Sequence, residues 1–196
     1  MRLIVGLGNP GEQYEWTPHN VGFLAIDALA EHANIRVTRP ESKSYVGLGK
    51  LVGEDVILAK PQTMMNLSGV AVRMLIERYE CKPSETIVLI DEVDLPWGMI
   101  RIRERGKNSS HNGLKSIIST LGTDEFIRVR LGVQPQHMFG DRRDYVLGNM
   151  SREDRRMARE MAGEAVIAVE TILTDGVEKA MAKFNRRNND AEESSQ

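Results

Sequence analysis

The order of apolar and polar positions along the chain predicts strands alternating with helices. Residues 2–7 open with Leu3-Ile4-Val5 and read as a strand. After a loop, Val21, Phe23, Leu24, Ile26 and Leu29 recur at helical spacing and predict a helix over about 20–33, with Thr17 as N-cap and Pro18 at its first position. Two short strands follow, near 45–52 and 55–59, joined at Gly53-Glu54 and closed by Lys60-Pro61-Gln62. Ser68 then precedes an amphipathic helix carrying Val70, Val72, Met74, Leu75 and Ile76, which ends near Cys81-Lys82-Pro83. The unbroken run Ile87-Val88-Leu89-Ile90 marks a strand buried on both faces, expected to stop at Asp91.

Beyond it, residues 99–105 alternate apolar and basic side chains, as a half-buried strand does. Residues 114–121 read as a helix entered from His111-Asn112-Gly113, and residues 126–133 alternate again. A long helix begins after Ser151, which forms a capping box with Asp154, and places Met157, Met161, Ala165 and Ile172 on one face. Asp175-Gly176 turns it into a shorter final helix. Residues 1–185 therefore read as one α/β layered domain, and residues 186–196, nearly free of apolar side chains, as a polar tail expected to be disordered.

Composition narrows the class. With 196 residues, 41% of them hydrophobic, the chain suits a single domain with a sizeable core. The first apolar run is too short for a signal segment, and no window reaches the roughly 18 apolar residues of a membrane span, so a cytoplasmic protein without membrane attachment is expected. One cysteine, Cys81, excludes an internal disulfide. A net charge of −2 gives no general affinity for polyanions, yet Arg101, Arg103, Arg105 and Lys107 form a compact basic stretch.

Gly6, Gly8 and Gly11 satisfy the G-x-G-x-x-G spacing of dinucleotide-binding loops, but the chemistry around them does not. Such a loop needs a helix that begins at the glycines, so that its first N–H groups meet the pyrophosphate. Pro10 lacks an N–H and forces Asn9 into an extended conformation, while Pro18 would fall inside any helix launched from Gly11. Asp27, at the distance expected of the ribose-binding acid, lies inside the later helix. A nicotinamide-dependent oxidoreductase is the weaker reading.

Five polar residues fall at element junctions: Asn9, His19, Asn66, Asp91 and Asn112. Each is an ordinary turn residue when taken alone. In open α/β sheets, however, such loops converge on the rim at the carboxyl ends of the strands. His19 is the natural general base, and Asp91 the carboxylate that would fix its tautomer. No serine sits in a nucleophile elbow, so water is the expected nucleophile. No metal site is expected: His32, His111 and His137 look scattered, and no metal-ligand spacing occurs. Arg101, Arg103 and Arg105 recur every second residue, and Arg128 and Arg130 repeat the pattern, so strand faces would present guanidinium rows suited either to phosphate or to solvent.

Five ordered motifs then give a specific resemblance: Gly6-Leu7-Gly8-Asn9-Pro10-Gly11, Thr17-x-His19-Asn20-x-Gly22, Lys60-Pro61-x-Thr63-x-Met65-Asn66-Leu67-Ser68-Gly69, Asp91-Glu92-x-Asp94-Leu95-Pro96-x-Gly98 and His111-Asn112-Gly113-Leu114-Lys115. With them the chain closely resembles bacterial peptidyl-tRNA hydrolases over nearly its whole length. The resemblance implies a single-domain three-layer sandwich with a mixed central sheet. It implies hydrolysis of the ester between a stranded peptide and the 3′-terminal ribose of tRNA, by a monomer that requires no cofactor and no protein partner. Carried over by motif, His19 is the catalytic base and Asp91 its supporting acid. Asn9 helps to tell blocked from free aminoacyl groups, Asn66 and Asn112 hold the peptide and 3′ end, and Tyr14 and Met64 border the substrate. Arg101, Arg103 and Arg130 grip the tRNA 5′ phosphate. The chain departs from the family pattern at Pro18, where arginine is common, at Met64, where an aromatic is common, and at Asn108-Ser109-Ser110, which replaces a glycine-rich run. The competing reading is a relative that holds RNA without cleaving it.

Overall fold

In the computed structural model, which describes residues 1–106, 110–135 and 140–193, the last eight of them as backbone only, strands alternate with helices as the pattern predicts. The strands are β1 (Arg2–Gly6), β2 (Arg39–Glu41), β3 (Ser44–Leu51), β4 (Glu54–Pro61), β5 (Thr86–Pro96), β6 (Ile100–Arg103) and β7 (Ile127–Gln134). The helices are α1 (Val21–His32), α2 (Ser68–Tyr79), α3 (Asn112–Leu121), α4 (Arg142–Leu147), α5 (Arg152–Asp175) and α6 (Val177–Glu193). One seven-stranded sheet runs in the order β2-β3-β4-β1-β5-β7-β6. The pairs β1/β4, β1/β5 and β5/β7 are parallel, whereas β2/β3, β3/β4 and β6/β7 are antiparallel, so the sheet is mixed.

Side chains leave a strand on alternate faces, and the two cores follow from that alternation. Ile4, Leu58, Ile87 and Leu89 pack with α1, α5 and α6, where Leu29, Val169 and Phe184 are buried. Leu3, Val5, Val88 and Ile90 pack on the other face with α2 and α3, through Val72, Leu75 and Ile117. The result is a single-domain three-layer sandwich. The outer strand β6 is closed off by Asn185, whose amide accepts from Ile102 N at 2.9 Å and donates to Ile102 O at 3.1 Å, covering an edge that would otherwise invite further strands.

The glycines of the opening loop serve close packing. A Cβ on Gly6 would stand 2.1 Å from Gly22 O, and one on Gly22 would stand 2.5 Å from Leu7 O and 2.6 Å from Leu89 O. Helix α1 therefore begins against the ends of β1 and β5, ten residues past Gly11, the last glycine of the pattern, with the 3₁₀ turns Glu12–Tyr14 and Pro18–Asn20 between.

Some boundaries differ from the sequence reading. Strand β5 does not stop at Asp91 but runs to Pro96, because Asp91 and Glu92 still pair with Leu131 and Gly132 before the register shifts. Its polar residues lie at the rim of the sheet, where they face the site rather than the core, so the apolar signal ends before the strand does. Thr17 and Pro18 take the expected N-cap and first positions, but of the 3₁₀ turn Pro18–Asn20 that leads into α1, and the Thr17 hydroxyl donates to Tyr14 O at 2.9 Å instead of capping. Strand β2 and helix α4 were not anticipated. The capping box of Ser151 and Asp154 is present as expected. Of the expected polar tail, 186–193 continue α6 in their backbone, where a disordered segment was expected, and 194–196 lie outside the described residues, as do Asn108 and Ser109 of the departing loop and His137.

Candidate active site

Three loops at the carboxyl ends of β1, β4 and β5 and the start of α3 meet over the end of the sheet. Their centre is Asp91, which is buried with 4% exposure. One of its oxygens, Oδ1, lies 2.7 Å from His19 Nδ1 and 2.8 Å from His111 Nε2. The two imidazoles stand 5.0 Å apart between centroids. Burial by itself would push the Asp91 carboxyl up, but facing His111 and His19 it is held well below the usual carboxylate range.

An ionised carboxylate accepts and never donates, so both ring nitrogens that face it carry protons. His111 is further fixed as the N-cap of α3: its Nδ1 accepts from Gly113 N at 3.1 Å and Leu114 N at 3.4 Å. His19 is thereby left with Nε2 as its proton-accepting atom, on a ring that lines a cavity of about 240 Å³. Asp91, His111, Asn112, Arg142, Arg143 and Val146 also line that cavity. His111 corrects the expectation of scattered histidines, since residues twenty apart in sequence are brought onto one oxygen. The signal lay in its position directly before a helix start, where an imidazole nitrogen can accept from the first N–H groups.

His19, Asp91 and His111 are the described residues closest to a metal-ligand set, with donor atoms within 4.8 Å of one another. Their chemistry fits hydrogen bonding instead. Ligands around a tetrahedral ion would stand about 3.3 Å apart at metal–ligand distances of about 2.0–2.1 Å. Here the ring nitrogens that face the carboxylate lie 2.7 and 2.8 Å from it and donate their protons to it.

Asn9, 3% exposed, is set by three bonds. Its N–H donates to Asn20 Oδ1 at 2.9 Å, its carbonyl accepts from Asn20 Nδ2 at 3.0 Å, and its side-chain Oδ1 accepts from Met65 N at 2.8 Å. The last bond decides the orientation of the amide, leaving its NH₂ as the free donor. Asn20 is a second residue that the sequence reading did not assign a role. Its amide is spent on the Asn9 loop, which is why α1 has no side-chain cap.

The remaining expected residues are spread around this centre. Asn112 is exposed at the first turn of α3 and borders the His19 cavity. Asn66 is exposed on the 3₁₀ turn Met65–Leu67, next to the residue that holds Asn9. Met64, 43% exposed, and the half-buried Tyr14 line neither the His19 cavity nor the groove of about 470 Å³ that runs from Asn9 past Phe23 to Lys60.

The arginines form one cluster. In the antiparallel pair β6/β7, Arg101 is opposite Arg130 and Arg103 is opposite Arg128, so all four side chains leave the same face. Arg130 is bound to Glu92 at 2.7 Å. Arg128 is fully buried, its guanidinium 4.3 Å from the Phe126 ring, and one nitrogen donates to Asp124 O at 3.1 Å. Burial and the neighbouring Arg130 push its pKa down to about 10. The expected row is thus divided: Arg101 and Arg103 reach the surface in part or fully, Arg130 bridges to β5, and Arg128 belongs to the interior.

Together, an open α/β sheet, a histidine with a fixed tautomer on a buried carboxylate, and amide donors beside it define a hydrolase-type site built to activate water. Comparison with known proteins agrees. Residues 3–193 match the family described as Peptidyl-tRNA hydrolase. Peptidyl-tRNA hydrolases of Solibacter usitatus and Koribacter versatilis are 50% and 46% identical, over 95% of this chain in each case and over 95% and 94% of theirs. A crystal structure of the peptidyl-tRNA hydrolase of Acinetobacter baumannii superposes with a TM-score of 0.85 at 33% identity, covering 94% of both chains. The chain belongs to the peptidyl-tRNA hydrolase family.

Proposed function

We propose that this chain hydrolyses the ester that joins a peptide, or an N-blocked aminoacyl group, to the 3′-terminal ribose of tRNA. The observation that carries the reading is the 2.7 Å bond from His19 Nδ1 to the buried Asp91, itself held by His111. In the first step His19 Nε2 takes a proton from water as the oxygen attacks the ester carbonyl. The imidazolium that forms is stabilised by Asp91. The negative charge on the carbonyl oxygen is met by amide donors, for which Asn66 and Asn112 are the candidates. Collapse of the adduct breaks the bond to the ribose 3′-oxygen, which takes the proton back from His19. The products are a free carboxylic acid and tRNA with its 3′-hydroxyl restored. An acyl ester of this kind is reactive enough that a positioned water, one base and a few donors suffice.

Asn9 supplies selectivity in this reading. Its free NH₂ can donate to the acyl carbonyl of a blocked substrate, whereas the ammonium of a free aminoacyl group is itself only a donor and would be repelled. Tyr14 and Met64 border the bound acyl chain, and Arg101, Arg103 and Arg130 hold the 5′ phosphate. The setting proposed is the cytoplasm, with the chain acting as a monomer that returns tRNA from stalled or aborted translation. A protein that only held RNA would have no use for a buried carboxylate that fixes one histidine tautomer. Turnover of N-acetylaminoacyl-tRNA against free aminoacyl-tRNA tests the reading: kcat/KM should favour the blocked substrate by at least about a hundredfold. Equal turnover of both would contradict it.

A further inference from the structure

Trp16 lies three residues before His19, and its carbonyl accepts from Met150 N at 2.8 Å, which ties the catalytic loop to the junction between α4 and α5. Two guanidinium groups stand over its half-buried ring: Arg155 at 5.2 Å and Arg159 at 4.8 Å from the centroid. We propose that Arg155 and Arg159, stacked on Trp16, form a phosphate-binding surface for the body of the tRNA substrate, outside the arginine cluster on β6 and β7.

Charge argues for an anionic partner. Arg155 and Arg159 are four apart on one helix face, where like charges repel, and Arg155 sits at the end of the first turn of α5, where the helix dipole is already positive. The placement of the two charges relative to each other and to the helix is therefore unfavourable without an anion. Other arginines nearby are neutralised within the chain: Arg156 by Glu153 and Glu160, and Arg142 by Asp94. Among the described residues, neither Arg155 nor Arg159 has an ion-paired carboxylate, although Glu15 adjoins Trp16 in sequence. Arg155 Nε donates to Met150 O at 3.3 Å, and stacking on an indole face leaves the terminal in-plane N–H donors of both guanidinium groups to fork onto phosphate oxygens. Arg159 is exposed and Arg155 is partly so.

Position argues for the same partner. Helix α4, which joins α5 through Met150, contributes Arg142, Arg143 and Val146 to the wall of the His19 cavity. A tRNA with its 3′ end in that cavity must carry the phosphates that precede it over neighbouring surface, and the Trp16 stack is joined to the α4 wall of the cavity through the Met150–Trp16 bond. Contacts there would add affinity without base specificity.

The proposal rests on the hydrolase reading above, and two substrates separate the two claims. Hydrolysis of full-length N-acetylaminoacyl-tRNA and of the same acyl group on the 3′-oxygen of adenosine would be followed for the wild type, R155A/R159A and R155K/R159K. The alanine pair should raise KM for the full-length substrate roughly tenfold with kcat retained, and make the slope of log KM against log salt shallower by about 1.5. The adenosine ester should be cleaved as by the wild type, and the lysine pair should restore the salt slope but only part of the affinity, because lysine keeps the charge and loses the stacked fork. Unchanged KM and salt slope on tRNA would overturn the proposal while leaving the hydrolase reading intact. Equal loss on both substrates would also overturn it, by showing a structural role for the pair. If the wild type cleaved neither substrate, the hydrolase reading would fail and the proposal with it.

Discussion

Asp91 is the residue on which the site turns, because a single buried oxygen serves two imidazoles. Its lowered carboxyl pKa ties the site to stability. The folded form binds the proton less readily than the unfolded chain, so the contribution of Asp91 is fully present above the ordinary aspartate range near pH 4 and fades as pH falls through the lower folded value. Asp91→Asn should therefore flatten the fall of Tm with acid below about pH 4, and should lower kcat by about a hundredfold or more, since the His19 tautomer is no longer enforced. Acid unfolding with the wild-type slope would show that the carboxylate contributes nothing to the fold. His19, Asp91 and Asn9 were legible in the sequence because each stands at a junction between periodic segments. His111 and Asn20 stand at junctions too, but their roles are structural supports that only the folded contacts show: His111 bonds Asp91 while capping α3, and Asn20 bonds both backbone groups of Asn9.

Among the elements, α1 is held at close quarters. Its first turn lies against the ends of β1 and β5 through Gly22, and His19 and Asn20 are carried on the same piece of chain. Gly22→Ala should cost about 1–3 kcal/mol or more, because the new methyl would meet backbone atoms of Leu7 and Leu89 that cannot give way. Gly163, in the middle of α5 with open space around it, is the contrasting case: alanine there should stabilise by about 0.5–1 kcal/mol. Denaturant titration of both variants checks the pair, and equal effects would contradict the packing described. Periodicity revealed the long helices because they bury a continuous stripe, as α5 does with Met161, Ala165, Val169 and Ile172. It missed α4, whose six residues bury only Val146, and β2, which has no buried residue. It also ended β5 too soon, because a strand whose last residues face a polar site has no apolar period to read.

Across the whole molecule, positive charge is gathered locally within a chain whose net charge is slightly negative. At −2 overall, it has no broad attraction for RNA, yet guanidinium groups gather on the β6/β7 face and around Trp16. Arg101→Ala with Arg103→Ala should weaken tRNA binding and make its salt dependence shallower by about 0.7–0.9 per lost phosphate contact. An unchanged slope in a binding titration would remove the β6 arginines from the interface. The glycine pattern of the opening loop shows how the same letters serve another fold: the spacing fits a dinucleotide cradle, but the prolines delay the helix and the glycines admit it against the sheet. The role proposed for His19 at this site is that of the base that activates water. For His19→Ala, single-turnover hydrolysis of N-acetylaminoacyl-tRNA should fall by about 10²–10⁴ while the fold and tRNA affinity are retained, and a folded variant that hydrolyses at the wild-type rate would contradict it.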